Sequence, residues 1–206
     1  VQAGHNPVLK PSTSGWTVEM WVKPETQSWN KFLIDKNNSF YIVGENAMTY
    51  KIRFNINGLT PGYVDATKSI NNLVDGAYHH LAFVYDGSVS KIYIDWALDA
   101  SASQTGMPGG SNYPLYIGSN YYLSGPYKGI MDEVRLHNTA LTVTQVNNDY
   151  LEGRFVGLWH LNEGAGNSAL DSSGQNNNGT VSGAAWTTGK FGYGLNFDGV
   201  DDYVQV

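Results

Sequence analysis

Cysteine is absent from all 206 residues, which removes disulfides, thiolate metal ligands and a thiol nucleophile together. Stability then rests on packing, or on packing and a bound ion. Charge is also scarce: Asp, Glu, Lys and Arg make up 15% of the chain and sum to a formal -6, with the acidic residues in many short clusters. No basic stripe occurs, which excludes a surface built to neutralise nucleic-acid phosphates. No run approaches the ~20 apolar residues that span a bilayer. No charged-then-apolar leader opens the sequence either, so a mature or excised form is expected. The stock of a helical bundle, Leu, Ala, Glu and Lys in quantity, is missing as well.

What is present points the other way. Apolar residues make up 41% and aromatics 13%, with 14 Tyr, 6 Trp and 24 Gly. Aromatic and β-branched side chains suit a pleated, half-buried surface, and glycine supplies the turns between short strands. Apolar alternation predicts strands over 16–22, 31–34, 39–43, 50–56, 79–85 and 91–96, with turn signals at Asn57-Gly58 and Asp86-Gly87. The pair 79–85 and 91–96 lies at hairpin distance and is expected to run antiparallel. Further strands are predicted over 115–118, 129–136, 156–161, 194–197 and 203–206. One short helix is expected near 142–150, where Thr142 and Gln145 have capping-box spacing ahead of Val146 and Tyr150.

Three phrases carry more than periodicity. They are Gly157-Leu158-Trp159-His160-Leu161-Asn162-Glu163-Gly164-Ala165-Gly166, Asp171-Ser172-Ser173-Gly174-Gln175-Asn176, and Gly189-Lys190-Phe191-Gly192 followed by Phe197-Asp198-Gly199-Val200-Asp201-Asp202-Tyr203-Val204. Together they resemble the opening third of laminin-G-like, concanavalin A-like lectin domains. Trp16 to Pro24, Tyr78-His79-His80-Leu81-Ala82 with Tyr85-Asp86-Gly87, and Gly129 to Leu136 resemble that family's early strand, central hairpin and late strand. The resemblance implies an all-β, two-sheet antiparallel jelly-roll sandwich. It also exposes an anomaly of order, because the family's opening phrases stand last here. Residues 1–206 are accordingly read as one circularly permuted sandwich, with 1–150 as the family's central and C-terminal part and 154–206 as its N-terminal part. The last segment is expected to complete either its own sandwich or that of a neighbouring copy.

Catalytic relatives of the fold carry Glu-x-Asp-x-x-Glu on one strand, and no such phrase occurs, so no enzyme activity is expected. Asp132 and Glu133 are neighbours that would face opposite ways on a strand, while Glu19 and Glu25 read as solvated residues at strand edges. The loop from Asp171 to Gly179, including Asn176, offers the carboxylate, amide and carbonyl oxygens that a hard cation needs. Asp132, placed on the face of Ile130, Val134 and Leu136, would need a partner inside. The resemblance implies a structural Ca2+, with Asp132, Asp171 and Asp198 as the matching acids. A turn-capping role for Asp171 and Asp198 is the alternative.

Exposed aromatics present flat faces to sugar rings, and the candidates are Trp29, Tyr63, Trp96, Tyr121, Tyr122 and Tyr127. Trp96 departs from the family, which usually has Gly after the Asp of this hairpin. The expected function is a calcium-stabilised, non-catalytic binding module for glycan or another surface ligand. A subunit of an extracellular fibre or array joined head to tail to copies of itself is the alternative, and a glycan-active enzyme the lesser one. Low Lys and abundant Asn, Gly, Ser and Thr lead us to expect an extracellular, secreted or cell-surface home, and sequons at Asn37 and Asn178 are compatible with it.

Overall fold

The computed structural model describes residues 2–3, 9–25, 30–45, 51–152, 157–172, 176–190, 192–198 and 200–206. The chain forms two compact units, residues 1–147 and 148–206.

In the first unit the strands are β1 (Gln2–Ala3), β2 (Trp16–Pro24), β3 (Lys31–Lys36), β4 (Phe40–Glu45), β5 (Lys51–Ile56), β6 (Leu59–Thr60), β7 (Tyr63–Ser69), β8 (His79–Tyr85), β9 (Val89–Ile94), β10 (Ala97–Ser103), β11 (Thr105–Gly106), β12 (Leu115–Ile117) and β13 (Gly129–His137). They build a six-stranded sheet in the order β1-β12-β3-β4-β5-β7 and a five-stranded sheet in the order β10-β9-β8-β2-β13, with a short β11-β6 ladder beside them. Adjacent strands are antiparallel throughout.

The period-2 pattern of the sequence explains the sandwich. Trp16, Val18, Met20 and Val22 of β2 and Leu81, Phe83 and Tyr85 of β8 turn one face inward. They meet Phe40, Ile42, Ile52, Phe54 and Ile56 from the other sheet in a single buried core. Two aromatic contacts tie the core together, Trp16 to Phe40 at 4.3 Å between ring centroids and Phe54 to Phe83 at 5.7 Å.

The helix α1 (Val143–Glu152) falls where the sequence places it. Its capping box forms: the Gln145 N–H donates to Thr142 Oγ1 at 3.3 Å, and the Thr142 N–H donates to Gln145 Oε1 at 2.9 Å. Val146 and Leu141 pack on Ala82, Val84 and Tyr93, the outward side chains of the five-stranded sheet. This explains why β8 reads as a continuous apolar run, since both its faces are covered.

The expected hairpin is present, with Leu81 opposite Ile94. Its second strand ends at Ile94, though, two residues earlier than expected. Asp95 (φ 51°) and Trp96 (φ 65°) instead form a two-residue turn into β10, both in the left-handed region that primed hairpin turns require. Asp95 stabilises this turn by gathering donors: its Oδ1 accepts the His80 N–H at 3.0 Å and its Oδ2 lies 2.8 Å from His79 Nδ1. His79 Nε2 meets Asp75 Oδ1 at 3.1 Å on the other side.

Burial of the His79 ring opposes protonation, but the hydrogen bonds to Asp95 and Asp75 outweigh it and the pKa is raised above 6.5. The stabilisation is therefore complete below about pH 6.5 and is lost as pH rises through the elevated folded value. Urea midpoints should fall between pH 6 and pH 8.5 in the native protein and move less in His79→Gln. Equal pH dependence in the two proteins would remove His79 from this role.

Two expectations are corrected by β13. Asp132 was expected to share an inward face with Ile130, Val134 and Leu136. A bulge between Asp132 and Arg135, with Glu133 at φ 48°, changes the parity. Met131, Val134 and Leu136 pack on the core, while Asp132 and Ile130 are exposed. Glu19 was expected to be solvated at a strand edge, and is instead fully buried in mid-β2, with Ala82 opposite on one side and Arg135 on the other.

In the second unit β14 (Ser168–Ala169), β15 (Gly179–Ser182) and β18 (Tyr203–Gln205) form one sheet, and β16 (Ala185–Thr188) pairs with β17 (Tyr193–Asn196). Of the strand expected over 156–161, residues 157–161 show a single bridge, Trp159 to Asp171, and residue 156 lies outside the described residues. Two indole N–H groups brace this unit, Trp159 donating to the Asn177 carbonyl and Trp186 to the Gly166 carbonyl, each at 2.8 Å.

Candidate functional site

Alternation in β3, β4 and β12 leaves a second set of side chains on the outer face of the six-stranded sheet. Tyr41 and Val43 alternate with the core residues Phe40 and Ile42. In the register, Asp35 stands opposite both Tyr41 and Tyr116, and Phe32 stands opposite Val43. The segment 118–127 closes one side of this face. It is tied to β3 by the Gly118 N–H donating to the Leu33 carbonyl (2.8 Å) and the Phe32 N–H donating to the Gly125 carbonyl (2.9 Å). Gly125 has to be glycine: φ is +68° and a Cβ would stand 2.1 Å from the Asn30 carbonyl oxygen.

The result is a cleft of about 220 Å3 lined by Phe32, Asp35, Asn37, Tyr41, Val43, Asn120 and Tyr122. Its polar groups are fixed in place. Asp35 is buried, and its Oδ2 accepts the Tyr121 N–H at 2.8 Å. Desolvation raises its pKa above the usual carboxylate value, against the lowering effect of that backbone donor. Asn120 is buried, with Oδ1 accepting the Ser124 N–H (2.9 Å) and Nδ2 donating to Ser124 Oγ (3.0 Å). Tyr113, Tyr116, Tyr121 and Tyr122 form an edge-to-face series, with centroid distances of 4.7, 6.1 and 5.1 Å from Tyr121 to the other three in that order. Tyr122 remains 73% exposed at the mouth, an apolar plate facing solvent.

The sequence-derived aromatic candidates divide accordingly. Tyr122 lines this cleft, and Tyr121 stands behind it, its N–H bonded to Asp35 and its ring against that of Tyr122. Tyr63 lies on the same sheet at its β7 edge, under the Arg53 guanidinium at 3.7 Å, while Asp65 clamps Arg53 with bonds of 2.7 and 2.9 Å. Trp96 is exposed on the hairpin turn of the other sheet. Tyr127 packs against the core, and burial foremost, with the Glu25 charge, pushes its phenol pKa up. Trp29 lies outside the described residues. Phe32, Asp35, Tyr41 and Asn120 were not anticipated. Their one available signal was a carboxylate inside an apolar strand, at Asp35.

The acids proposed for a cation do not form one group. Asp171 uses both carboxylate oxygens on backbone donors, Leu158 N–H and Asn177 N–H, each at 2.9 Å, as a turn-capping residue would. Asn176 is exposed at φ 60°. Asp132 Oδ1 accepts the Glu133 N–H at 2.9 Å. Asp198 clusters with Asp201 and Asp202, one oxygen of each within 4.8 Å of the others.

A two-sheet antiparallel jelly roll carrying an aromatic cleft on its outer sheet face is the architecture of a lectin-like sandwich. The chain belongs to the concanavalin A-like lectin/glucanases superfamily, whose family model matches residues 1–147. No curated protein sequence matches the chain. Among solved structures it is similar to domain 4 of AbnA, a GH43 extracellular arabinanase from Geobacillus stearothermophilus in complex with arabinotriose. The identity is 25%, over 71% of this chain and 70% of that one, with a TM-score of 0.54. A putative carbohydrate binding protein from Bacteroides ovatus gives a TM-score of 0.58 at 17% identity, over 86% of this chain and 54% of that one. The binding domain of Paraclostridial Mosquitocidal Protein 1 gives 0.58 at 14%, over 98% of this chain and 58% of that one. The chain thus spans little more than half the length of the last two, and their likeness is one of fold. Among the described residues no helix is long and apolar enough to cross a membrane.

Proposed function

We propose that this protein is a non-catalytic, extracellular carbohydrate-binding module whose glycan lies in the cleft on the six-stranded sheet. The observation that carries the reading is the pairing of aromatic walls, Phe32, Tyr41 and Tyr122, with two buried, hydrogen-bonded polar groups, Asp35 and Asn120, in one open concavity. Aromatic faces cover the apolar side of a sugar ring, and a fixed carboxylate and amide select the hydroxyls. The likeness to an arabinanase domain solved with arabinotriose supports it. The acid count supports binding rather than hydrolysis, because Asp35 is the one carboxylate among the lining residues and glycoside hydrolysis uses two.

A structural Ca2+ belongs to the same proposal, held by Asp198 together with Asp201 and Asp202. Both parts are tested on the whole chain. A glycan array should return a restricted set of oligosaccharides, and the absence of any bound sugar would remove the lectin reading. Thermal melts should rise with calcium relative to chelator, since a ligand of the native state alone must stabilise it. Equal melts would remove the ion and leave the cleft standing.

A further inference from the structure

The five-stranded sheet carries a second cavity, larger than the glycan cleft at about 390 Å3 and sharing no lining residue with it. It opens where β2 ends and β13 begins. Val22 turns into the core, so Lys23 faces outward, and Ile130 stands directly opposite Lys23 on the same face. Pro24 pairs with Gly129, which has to be glycine: φ is +136°, and a Cβ would stand 2.5 Å from the Lys23 carbonyl oxygen. The Glu25 N–H donates to the Lys128 carbonyl at 3.2 Å and carries the ladder one step further. Val74 and Gly76, on the connection into β8, complete the lining. That connection is pinned by its own bonds. The Val74 N–H donates to the Asn71 carbonyl at 3.2 Å, while Asp75 Oδ1 accepts the Ala77 N–H at 2.8 Å and meets His79 Nε2 at 3.1 Å. The walls are thus fixed before a ligand arrives.

We propose that this pocket binds an amphiphilic organic anion, a carboxylate on an aliphatic body of roughly a dozen non-hydrogen atoms, with the carboxylate on Lys23 and the body against Pro24, Val74 and Ile130. Charge selects the sign. Lys128 is engaged with Glu25 at 2.8 Å, whereas Lys23 has no carboxylate partner among the described residues, so the lining keeps one positive charge to be matched. Surroundings strengthen the match. The Lys23 Nζ lies 5.7 Å from the centroid of the Tyr78 ring and beside aliphatic walls, where water competes less for a carboxylate than on an open surface. Apolar area selects the body, because Val74 and Ile130 leave 36% and 51% of their surface exposed, and a ligand seated there removes part of it from water. The lining holds no aromatic plate for a sugar ring, in contrast to the cleft around Asp35. The inference therefore stands apart from the glycan reading.

The test is a nuclear magnetic resonance titration of the whole chain with sodium octanoate. Octanoate should shift the backbone amides of Lys23, Glu25, Val74, Gly76 and Ile130, and saturate with a Kd on the order of 0.1–1 mM, the strength open to so small a ligand. Two analogues separate the sources of affinity. Octanol keeps the body without the charge, and glucuronate keeps the charge without the apolar body, so each should bind at least about fivefold more weakly. Lys23→Gln, which keeps most of the stem, should weaken octanoate about tenfold. Ile130→Thr, at an exposed position on an edge strand and still β-branched, should weaken it about threefold. Asp35→Asn, in the other cleft, should leave octanoate binding unchanged. Amides that do not move with octanoate, or that move as far in Lys23→Gln with near-ultraviolet circular dichroism intact, would overturn the proposal. Octanol or glucuronate binding as tightly as octanoate would overturn it as well, the latter making this a site for acidic sugars.

Discussion

Phe54→Ala is expected to destabilise the first unit by about 3–5 kcal/mol, the usual cost of emptying a buried phenylalanine site. Phe54 belongs to the six-stranded sheet and Phe83 to the five-stranded one. Their rings meet at 5.7 Å with a tilt of 59°, and both are essentially inaccessible to solvent. Truncation therefore removes transfer energy and leaves a void between two sheets held in register by their own ladders, so the void cannot collapse. Phe83→Ala should cost a similar amount. The double variant should cost less than the sum by about 0.5–1.5 kcal/mol, the coupling expected of a tilted aromatic pair. Urea denaturation followed by near-ultraviolet circular dichroism measures all three. A loss under about 1 kcal/mol for either single variant would mean that the two sheets do not close over this pair.

The alternation that makes this prediction possible was visible in the sequence. Ile52, Phe54 and Ile56, or Leu81, Phe83 and Tyr85, announce an inward face without any structure, and β2, β4, β5, β8, β9 and α1 fall close to where pattern and capping place them. What stayed hidden depends on backbone details that no hydrophobic period encodes. The bulge at Glu133 turns Asp132 outward, and the left-handed pair Asp95-Trp96 ends β9 two residues early. β7 and β10 are polar enough along Tyr63–Ser69 and Ala97–Ser103 to read as loops, and become strands because β5 and β9 offer them a ladder.

The site was legible only in part for a related reason. Tyr121 and Tyr122 stand out as loop aromatics beside glycine, whereas Asp35, Phe32 and Tyr41 lie within strands that read as core. Their outward direction follows from register, and the loop that covers Asp35 arrives from 86 residues away. The same holds for the pocket beside Lys23, whose lining comes from β2, β13 and the connection into β8. Sheet pairing assembles both sites, one on each sheet of the sandwich.

The sharpest test of the glycan cleft is Asp35. Its carboxylate holds the 118–127 segment through the Tyr121 N–H and faces the cavity with its remaining acceptor capacity. Asp35→Asn keeps an oxygen for the Tyr121 N–H, and so keeps the loop. It removes the charged acceptor for a sugar hydroxyl, which is worth about 1.5–3 kcal/mol, or a loss of affinity of ten- to a hundredfold. Asp35→Ala should lose more, because it also releases the segment that carries Tyr122. Calorimetric titration with an array-selected oligosaccharide reads both.

The pH dependence gives a second, independent signature. Burial raises the folded pKa above 3.8, so the ionised form opposes folding: stability attributable to this group is greatest when it is protonated, and is lost as pH rises from about 3.8 through the folded value. Affinity should run the opposite way, falling as the carboxylate protonates and gives up acceptor capacity. A group that costs stability in order to bind is expected at a functional site and is out of place in a purely structural one. If affinity proves independent of pH across that range, or Asp35→Asn binds as the native protein does, the glycan does not engage this cleft through Asp35.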